Sequence, residues 1–353
     1  MKRYRLAVIP GDGIGREVIP EGMRVLRAAG HRFGFALDAE ELPWGCTYYL
    51  EHGEMMPADG LTALRDHDAI YLGAIGDPRV PDHISLWGLL LRIRKGFDLY
   101  ANLRPIRLLE GVTSPLRDRG PGDLDILFVR ENTEGEYSGL GGRLNSGTAH
   151  EVALQTAVFT RRGTERILRY AFDVARTRRR RLTHVTKSNA LQHTAVMWDE
   201  VVTDVAGDYP DVRVSRLHVD AAAYQMVLHP EWFDVMVGSN LFADILTDLG
   251  AALQGSLGLA ASANLDPTRT SPSMFEPVHG SAPDIAGKGI ANPMAAIWTA
   301  SLMLEHLGET DAAAAVFDAL RRVVRNGEIR TPDLGGRSST ADVGEAVVEA
   351  LRP

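Results

Sequence analysis

The sequence predicts an α/β protein made of two units, the second inserted into the first. Three observations lead there. Strand-like and helix-like stretches alternate from residue 5 onward, the texture changes at Tyr100, and after Gly250 the chain returns to the character of its opening segment. The length of 353 residues agrees, since one hydrophobic core stops growing below that size.

Taken in order, residues 5–9 read as a buried strand, followed by a glycine-rich turn and a helix with apolar positions at Ile14, Val18 and Val25. Residues 68–74 form another strand and residues 87–93 a helix. Beyond Tyr100, extended runs at 103–108 and 124–129 lead into a polar, glycine-rich stretch at 139–147 and a strand at 152–159. A helix at 167–174, a strand at 182–186, a helix at 194–205 and strands at 212–219 and 235–237 follow. The last part holds helices at 295–306, 312–324 and 343–351. No repeat, low-complexity segment or long linker interrupts this order. In the first turn, the third glycine of a strict dinucleotide fingerprint would fall on Arg16, so a tight structural turn is the plainer reading of Gly11, Gly13 and Gly15.

Composition narrows the function class. A formal charge of −8 argues against nucleic-acid binding, and the four arginines at 178–181 are too local to reverse it; they read as a solvated helix-to-strand junction. Cys46 is the only cysteine, which excludes an internal disulfide and a cysteine-based metal cluster and suits a reducing cytosol. The apolar run at 6–9 is too short for a signal-peptide core, and no run reaches membrane-spanning length. A soluble, cytoplasmic enzyme is expected.

Several residues carry chemistry. Asp244 and Asp248 lie four apart on a helical stretch, one turn apart on one face, with Leu241, Ile245 and Leu249 on the neighbouring face expected against a core. Such a pair suits Mg²⁺ or Mn²⁺, and equally a solvated helix start where the dipole favours acids. Lysine is rare here, confined to Lys2, Lys95, Lys187 and Lys288. Lys187 follows a strand, where α/β proteins place active groups, and unlike arginine it can give up its proton; a solvated strand-end lysine is the alternative. Arg94, Arg104 and Arg130 offer forks that match carboxylates, or surface salt bridges. Tyr137, soon after Arg130, suits a proton donor or a packed ring.

Taken together, these motifs resemble those of the metal-dependent, β-decarboxylating 2-hydroxyacid dehydrogenases, which include isocitrate, 3-isopropylmalate, D-malate and tartrate dehydrogenases. The resemblance covers the Gly11 turn, residues 98–105 (DLYANLRP), Arg130 through Tyr137, residues 186–189 (TKSN), Asn240 through Asp248, and residues 276–288 (EPVHGSAPDIAGK). It implies an isopropylmalate dehydrogenase-like two-domain fold rather than a Rossmann fold. A large doubly wound NAD-binding domain would span 1–99 and 252–353, and a smaller α/β domain over 100–251 would hold the metal site and dimerisation elements. It further implies a homodimer with shared sites, in which Arg94, Arg104, Arg130 and Tyr137 face the substrate with Asp244 and Asp248. Lys187 and Asp220, the latter a third metal carboxylate, would come from the other subunit.

In this resemblance Lys187 takes the hydroxyl proton as hydride leaves, and Tyr137 protonates carbon after CO₂ departs. The cofactor residues implied are Glu276, His279, Gly280, Ser281, Ala282, Pro283, Asp284, Ile285 and Asn292. Asp284 would accept from a free ribose hydroxyl and repel a 2′-phosphate, favouring NAD over NADP. The metal is Mg²⁺ or Mn²⁺, with a monovalent cation left open beside it. Isocitrate is disfavoured, because Ser85 lies too far ahead of Arg94 for the register that isocitrate enzymes use. Leu90 and Leu91 suit an isopropyl group, but residues 81–88 (PDHISLWG) are similar to the D-malate and tartrate branch, and Trp87 would fill space a larger substituent needs. That branch is expected, with 3-isopropylmalate second and a non-catalytic ligand-binding relative as the different-class alternative. Ala221, Ala222, Ala223 and Ala243 are smaller than the branch leads one to expect.

Overall fold

The computed structural model describes residues 1–352. The chain opens with β1 (Lys2–Gly11), α1 (Gly15–Phe33), β2 (Phe35–Glu41), α2 (Cys46–His52), α3 (Gly60–Leu64) and β3 (Ala69–Ala74). Then come α4 (Asp82–Ser85), a π-helical turn (Leu86–Leu90), α5 (Leu91–Gly96) and β4 (Ala101–Arg107). Next are β5 (Asp125–Glu131), β6 (Gly135–Leu144), β7 (Val152–Val158), α6 (Arg161–Arg176), β8 (Arg181–Thr186), α7 (Thr194–Ala206), β9 (Arg213–His218), α8 (Val219–Leu228), β10 (Val235–Gly238) and α9 (Asn240–Leu253). The chain closes with β11 (Ala261–Leu265), β12 (Ser273–Pro277), α10 (Met294–His306), α11 (Thr310–Asn326) and α12 (Thr340–Leu351).

These elements form two compact units. One holds residues 1–99, 104–124 and 251 onward; the other holds 100–103 and 125–250. The α/β class predicted from the sequence is the class observed. In the first unit, strands run in the order β2-β1-β3-β12-β11, parallel except for the antiparallel β11–β12 pair. β3 and β12 are buried along their whole length, and a core of Ala7, Ile9, Leu72, Leu89, Ile93 and Phe97 lies against them. α10 is buried almost all round, as its low polarity requires.

The second unit orders its parallel strands β5-β10-β8-β9. Separately, β6 and β7 pair as a two-stranded antiparallel ribbon whose Leu140, Leu144, Val152 and Leu154 are exposed. The sequence reads 139–147 as a polar stretch; the structure extends β6 through Leu144, because ladder pairing to β7 stabilises a run whose own propensity is low.

Three more expectations change. On α9 the buried face carries Ala243, Leu246, Thr247 and Gly250, while Ile245 is 58% exposed and Leu241 and Leu249 are half-buried. The spacing was right for a helix, but the buried face is the one carrying Ala243, Leu246 and Gly250 rather than Leu241, Ile245 and Leu249. At 178–181, Arg178 reaches the fully buried Asp234 at 2.8 Å and Asp125 at 2.9 Å, so the junction is tied down by ion pairs rather than merely solvated. The predicted helix at 87–93 begins as a π turn before α5.

Candidate active site

In the second unit, the fork of Arg130 ends β5 and is 2% exposed. Its Nε and Nη2 donate to Asn240 Oδ1 at 2.9 and 2.6 Å, and Nη1 donates to Asp244 Oδ1. The Tyr137 hydroxyl donates to the other oxygen of Asp244 at 3.1 Å. The Arg130 cation and the Tyr137 hydroxyl are therefore both aimed at Asp244, with the Arg130 guanidinium 5.7 Å from the centre of the Tyr137 ring. Asn240, on the first turn of α9, orients the guanidinium. The bend after β5 is held by Glu131, a buried carboxylate that accepts from Thr133 N, Thr133 Oγ1 and Glu134 N. Burial pushes the Glu131 pKa up against those hydrogen bonds.

Lys187 lies just past the end of β8, and its Nζ donates to Asp220 Oδ1 at 2.7 Å. Asp220 sits in the first turn of α8 and is exposed; the Lys187 hydrogen bond holds its pKa below the usual carboxylate range. Three residues before Lys187, His184 is stacked on Trp198 and its Nε2 lies 2.9 Å from Asp199, whose other oxygen accepts from Arg216. Burial opposes ionisation of Asp199, yet His184 and the nearby Ser188 and Thr186 hydroxyls hold its pKa far down. Asp248 is exposed on α9 one turn beyond Asp244. Among the described residues, no three His, Cys, Asp or Glu side chains of this chain stand together as a metal site, so Asp220 is not gathered with Asp244 and Asp248. As ligands, the three are all carboxylates, the oxygen donors that Mg²⁺ and Mn²⁺ take.

In the first unit, Arg94 on α5 is 3% exposed and its Nη2 lies 2.6 Å from Glu276 Oε1 on β12. Glu276 also accepts from Asn264 Nδ2 at 2.9 Å. The carboxylate of Glu276, which the resemblance gives to the cofactor, is thus engaged with Arg94. Arg94 Nε is buried and has no partner among the described residues, a donor left for a ligand. Arg104 is buried on β4. Trp87 is 38% exposed in the π turn, with Lys95 Nζ 4.5 Å above its ring, and Leu90 is half-buried against the core. π turns recur where a helix face is re-aimed at a functional site.

His279, just after β12, is buried, and burial depresses its pKa. Its Nδ1 lies 3.1 Å from Gly280 O, which sets the proton on Nδ1 and leaves Nε2 a buried acceptor with no partner among the described residues. Ser281 O accepts from Ile14 N at 2.9 Å, and a Cβ on Gly13 would stand 2.0 Å from that same oxygen; only glycine permits the approach. Ala282 has a φ of 42°, and its carbonyl accepts from Ile285 and Ala286, leaving Pro283 and Asp284 exposed at the turn. Asn292 anchors the far end, donating to Asp333 at 2.9 Å and accepting from Met294 N. A glycine-rich turn with an exposed carboxylate, following a buried histidine whose second ring nitrogen is unpartnered among the described residues, is a fit for the adenosine end of a dinucleotide.

The model of the isocitrate/isopropylmalate dehydrogenase family matches residues 5–347. A probable tartrate dehydrogenase/decarboxylase of Agrobacterium vitis is 57% identical over 353 residues, covering 99% of this chain and 98% of that one. The decarboxylating D-malate dehydrogenase of Escherichia coli (strain K12) is 54% identical over 359 residues, covering 99% of each. Among solved structures, the isocitrate dehydrogenase of Methylococcus capsulatus aligns with a TM-score of 0.88 and 38% identity, covering 99% of this chain and 100% of that one.

Proposed function

This chain belongs to the isocitrate/isopropylmalate dehydrogenase family and is an oxidoreductase, and we propose that it oxidatively decarboxylates D-malate or tartrate with NAD and a divalent cation. One observation carries the choice of substrate: full-length identity of 57% and 54% to relatives named for tartrate and D-malate, against 38% to the isocitrate dehydrogenase structure. Trp87 supports it. With Lys95 held over its ring, the indole is a bulky wall suited to a small C3 substituent, whereas Leu90 alone would admit an isopropyl group.

Bound NAD supplies the hydride acceptor, and bound Mg²⁺ or Mn²⁺ supplies charge withdrawal from substrate oxygens. The chain's residues do the rest. Arg94, Arg104 and Arg130 bind carboxylates, the first through its unpartnered Nε. Lys187 removes the hydroxyl proton. Tyr137, already poised as a donor toward Asp244, returns a proton to the carbon that loses CO₂. Asp220, Asp244 and Asp248 hold the cation, and the loop from His279 to Asn292 holds the adenosine, with Asp284 reading the ribose.

The working protein is a homodimer in the cytoplasm, with Lys187 and Asp220 serving the neighbouring subunit's site. Support comes from apolar side chains exposed in the second unit: Tyr224, Val227 and Leu228 on α8, Ile245 on α9, and the ribbon leucines. Among the described residues no helix is long and apolar enough to cross a membrane. The test of the substrate reading is Trp87→Ala. It should raise kcat/KM for 3-isopropylmalate relative to D-malate by about tenfold, the scale of one apolar contact in a pocket. An unchanged ratio contradicts the role given to Trp87.

A further inference from the structure

We infer that Glu17 is a positioning residue for the nucleotide, its carboxylate clamping the glycine loop beyond Asp284. The inference rests on the reading of residues 279–292 as the NAD loop. α1 begins at Gly15, so Glu17 lies in its first turn, half-buried. Its Oε1 accepts from Gly287 N at 2.6 Å and its Oε2 from Gly289 N at 2.8 Å. One side chain therefore receives two backbone N–H groups of a segment some 270 residues away in sequence.

Those two amides need such a partner. Gly287 and Gly289 both have left-handed φ values, 79° and 64°, so the segment between them belongs to neither helix nor ladder. The same turn of α1 also grips the loop's beginning, through Ile14 N on Ser281 O. Thr340 closes the end, its N donating to Gly289 O at 2.9 Å and its Oγ1 to Ala291 O at 2.7 Å. The exposed turn carrying Asp284 is thus pinned before and after, and Glu17 is the charged group that holds its glycine amides. Without it, the loop after Asp284 loses its acceptor and spreads over conformations of which only a fraction present Asp284 as the nucleotide requires. Apparent affinity falls by that fraction, while the reacting end of the cofactor and the acid's own contacts are untouched.

The experiment is equilibrium binding of NADH, followed by its fluorescence, to the full chain without substrate or metal. Wild type is compared with Glu17→Ala, Glu17→Gln and Asp284→Ala. Glu17→Ala should raise the Kd about tenfold, and Glu17→Gln, which keeps one acceptor oxygen, should fall between. In turnover the loss should appear in KM for NAD, with kcat and KM for the acid within twofold, a split that general destabilisation does not produce. Amide exchange at Gly287 and Gly289 should quicken. Should the alanine variant fail to fold, the glutamine variant decides alone, a wild-type Kd in it overturning the clamp. If Asp284→Ala weakens binding and the Glu17 variants bind as wild type does, the loop reading stands and the clamp is refuted. If none of the variants changes the Kd, the loop reading and the clamp fail together.

Discussion

Replacing Arg94 by methionine separates what that residue does for the fold from what it does for the substrate. Its guanidinium is 3% exposed and pairs with Glu276, itself 6% exposed, at 2.6 Å. Removing the cation leaves a buried carboxylate whose remaining partner is a neutral amide, Asn264. An unpaired buried charge costs about 3–5 kcal/mol, so Arg94→Met should destabilise the first unit by about that much. Replacing both members with apolar residues, Arg94→Met with Glu276→Met, removes the stranded charge and should return stability to within about 1–2 kcal/mol of wild type. Glu276→Met strands the buried guanidinium and should cost about as much as Arg94→Met, so the coupling from the cycle is at least about 4 kcal/mol. Urea unfolding followed by circular dichroism and fluorescence measures it, with each transition fitted separately because two units need not unfold together. Dehydrogenase activity should be lost in the single and double variants alike, since neither offers a donor to a carboxylate. An Arg94→Met cost below about 1 kcal/mol, or a double variant as unstable as the sum of the singles, would refute the argument.

Lys187→Met should lower kcat by at least about a hundredfold while NADH binding stays at the wild-type level; normal turnover removes Lys187 as the base. Asp244→Asn should weaken Mn²⁺ binding, read by the paramagnetic signal of the free ion, and an unaltered affinity takes Asp244 out of the metal set. His306, at the end of α10 against Phe275, has its pKa pushed down to about 4 by burial, with Arg269 adding to the effect. The folded state then binds fewer protons than the unfolded chain between those pKa values. Stability is intact above about pH 6.5 and falls as pH drops toward 4, by about 3 kcal/mol in all. His306→Gln should flatten that part of a Tm-against-pH curve, and an unchanged slope contradicts it.

The alternation of strands and helices was legible because periodicity survives in a single sequence. β11 and β12 were not, since ASANL and SMFEP are buried on both faces and show no alternation. Asp244 and Asp248 announced themselves by spacing, and Lys187 by its rarity. What spacing did not carry was the inward face of α9: Ala243, Leu246 and Gly250 are buried and Ile245 is left outside, and apolar residues on both faces gave no way to choose between them. Partners distant in sequence were equally hidden. Nothing near Arg130 marks Asn240 as its holder, and nothing near Gly287 points to Glu17; a glutamate in a first helical turn looks like an ordinary response to the helix dipole. Glu276 was seen in its motif, but its engagement with Arg94 depends on β12 lying beside α5, which only the fold supplies.

The most direct measurement is initial-rate NADH formation by wild type with Mn²⁺ on D-malate, tartrate and 3-isopropylmalate in parallel, with EDTA controls and CO₂ release followed. The account predicts metal-dependent NADH and CO₂ in equal amounts, with D-malate or tartrate preferred over 3-isopropylmalate. Preference for 3-isopropylmalate would contradict the substrate reading, and turnover that EDTA leaves unchanged would contradict the metal-assisted chemistry itself.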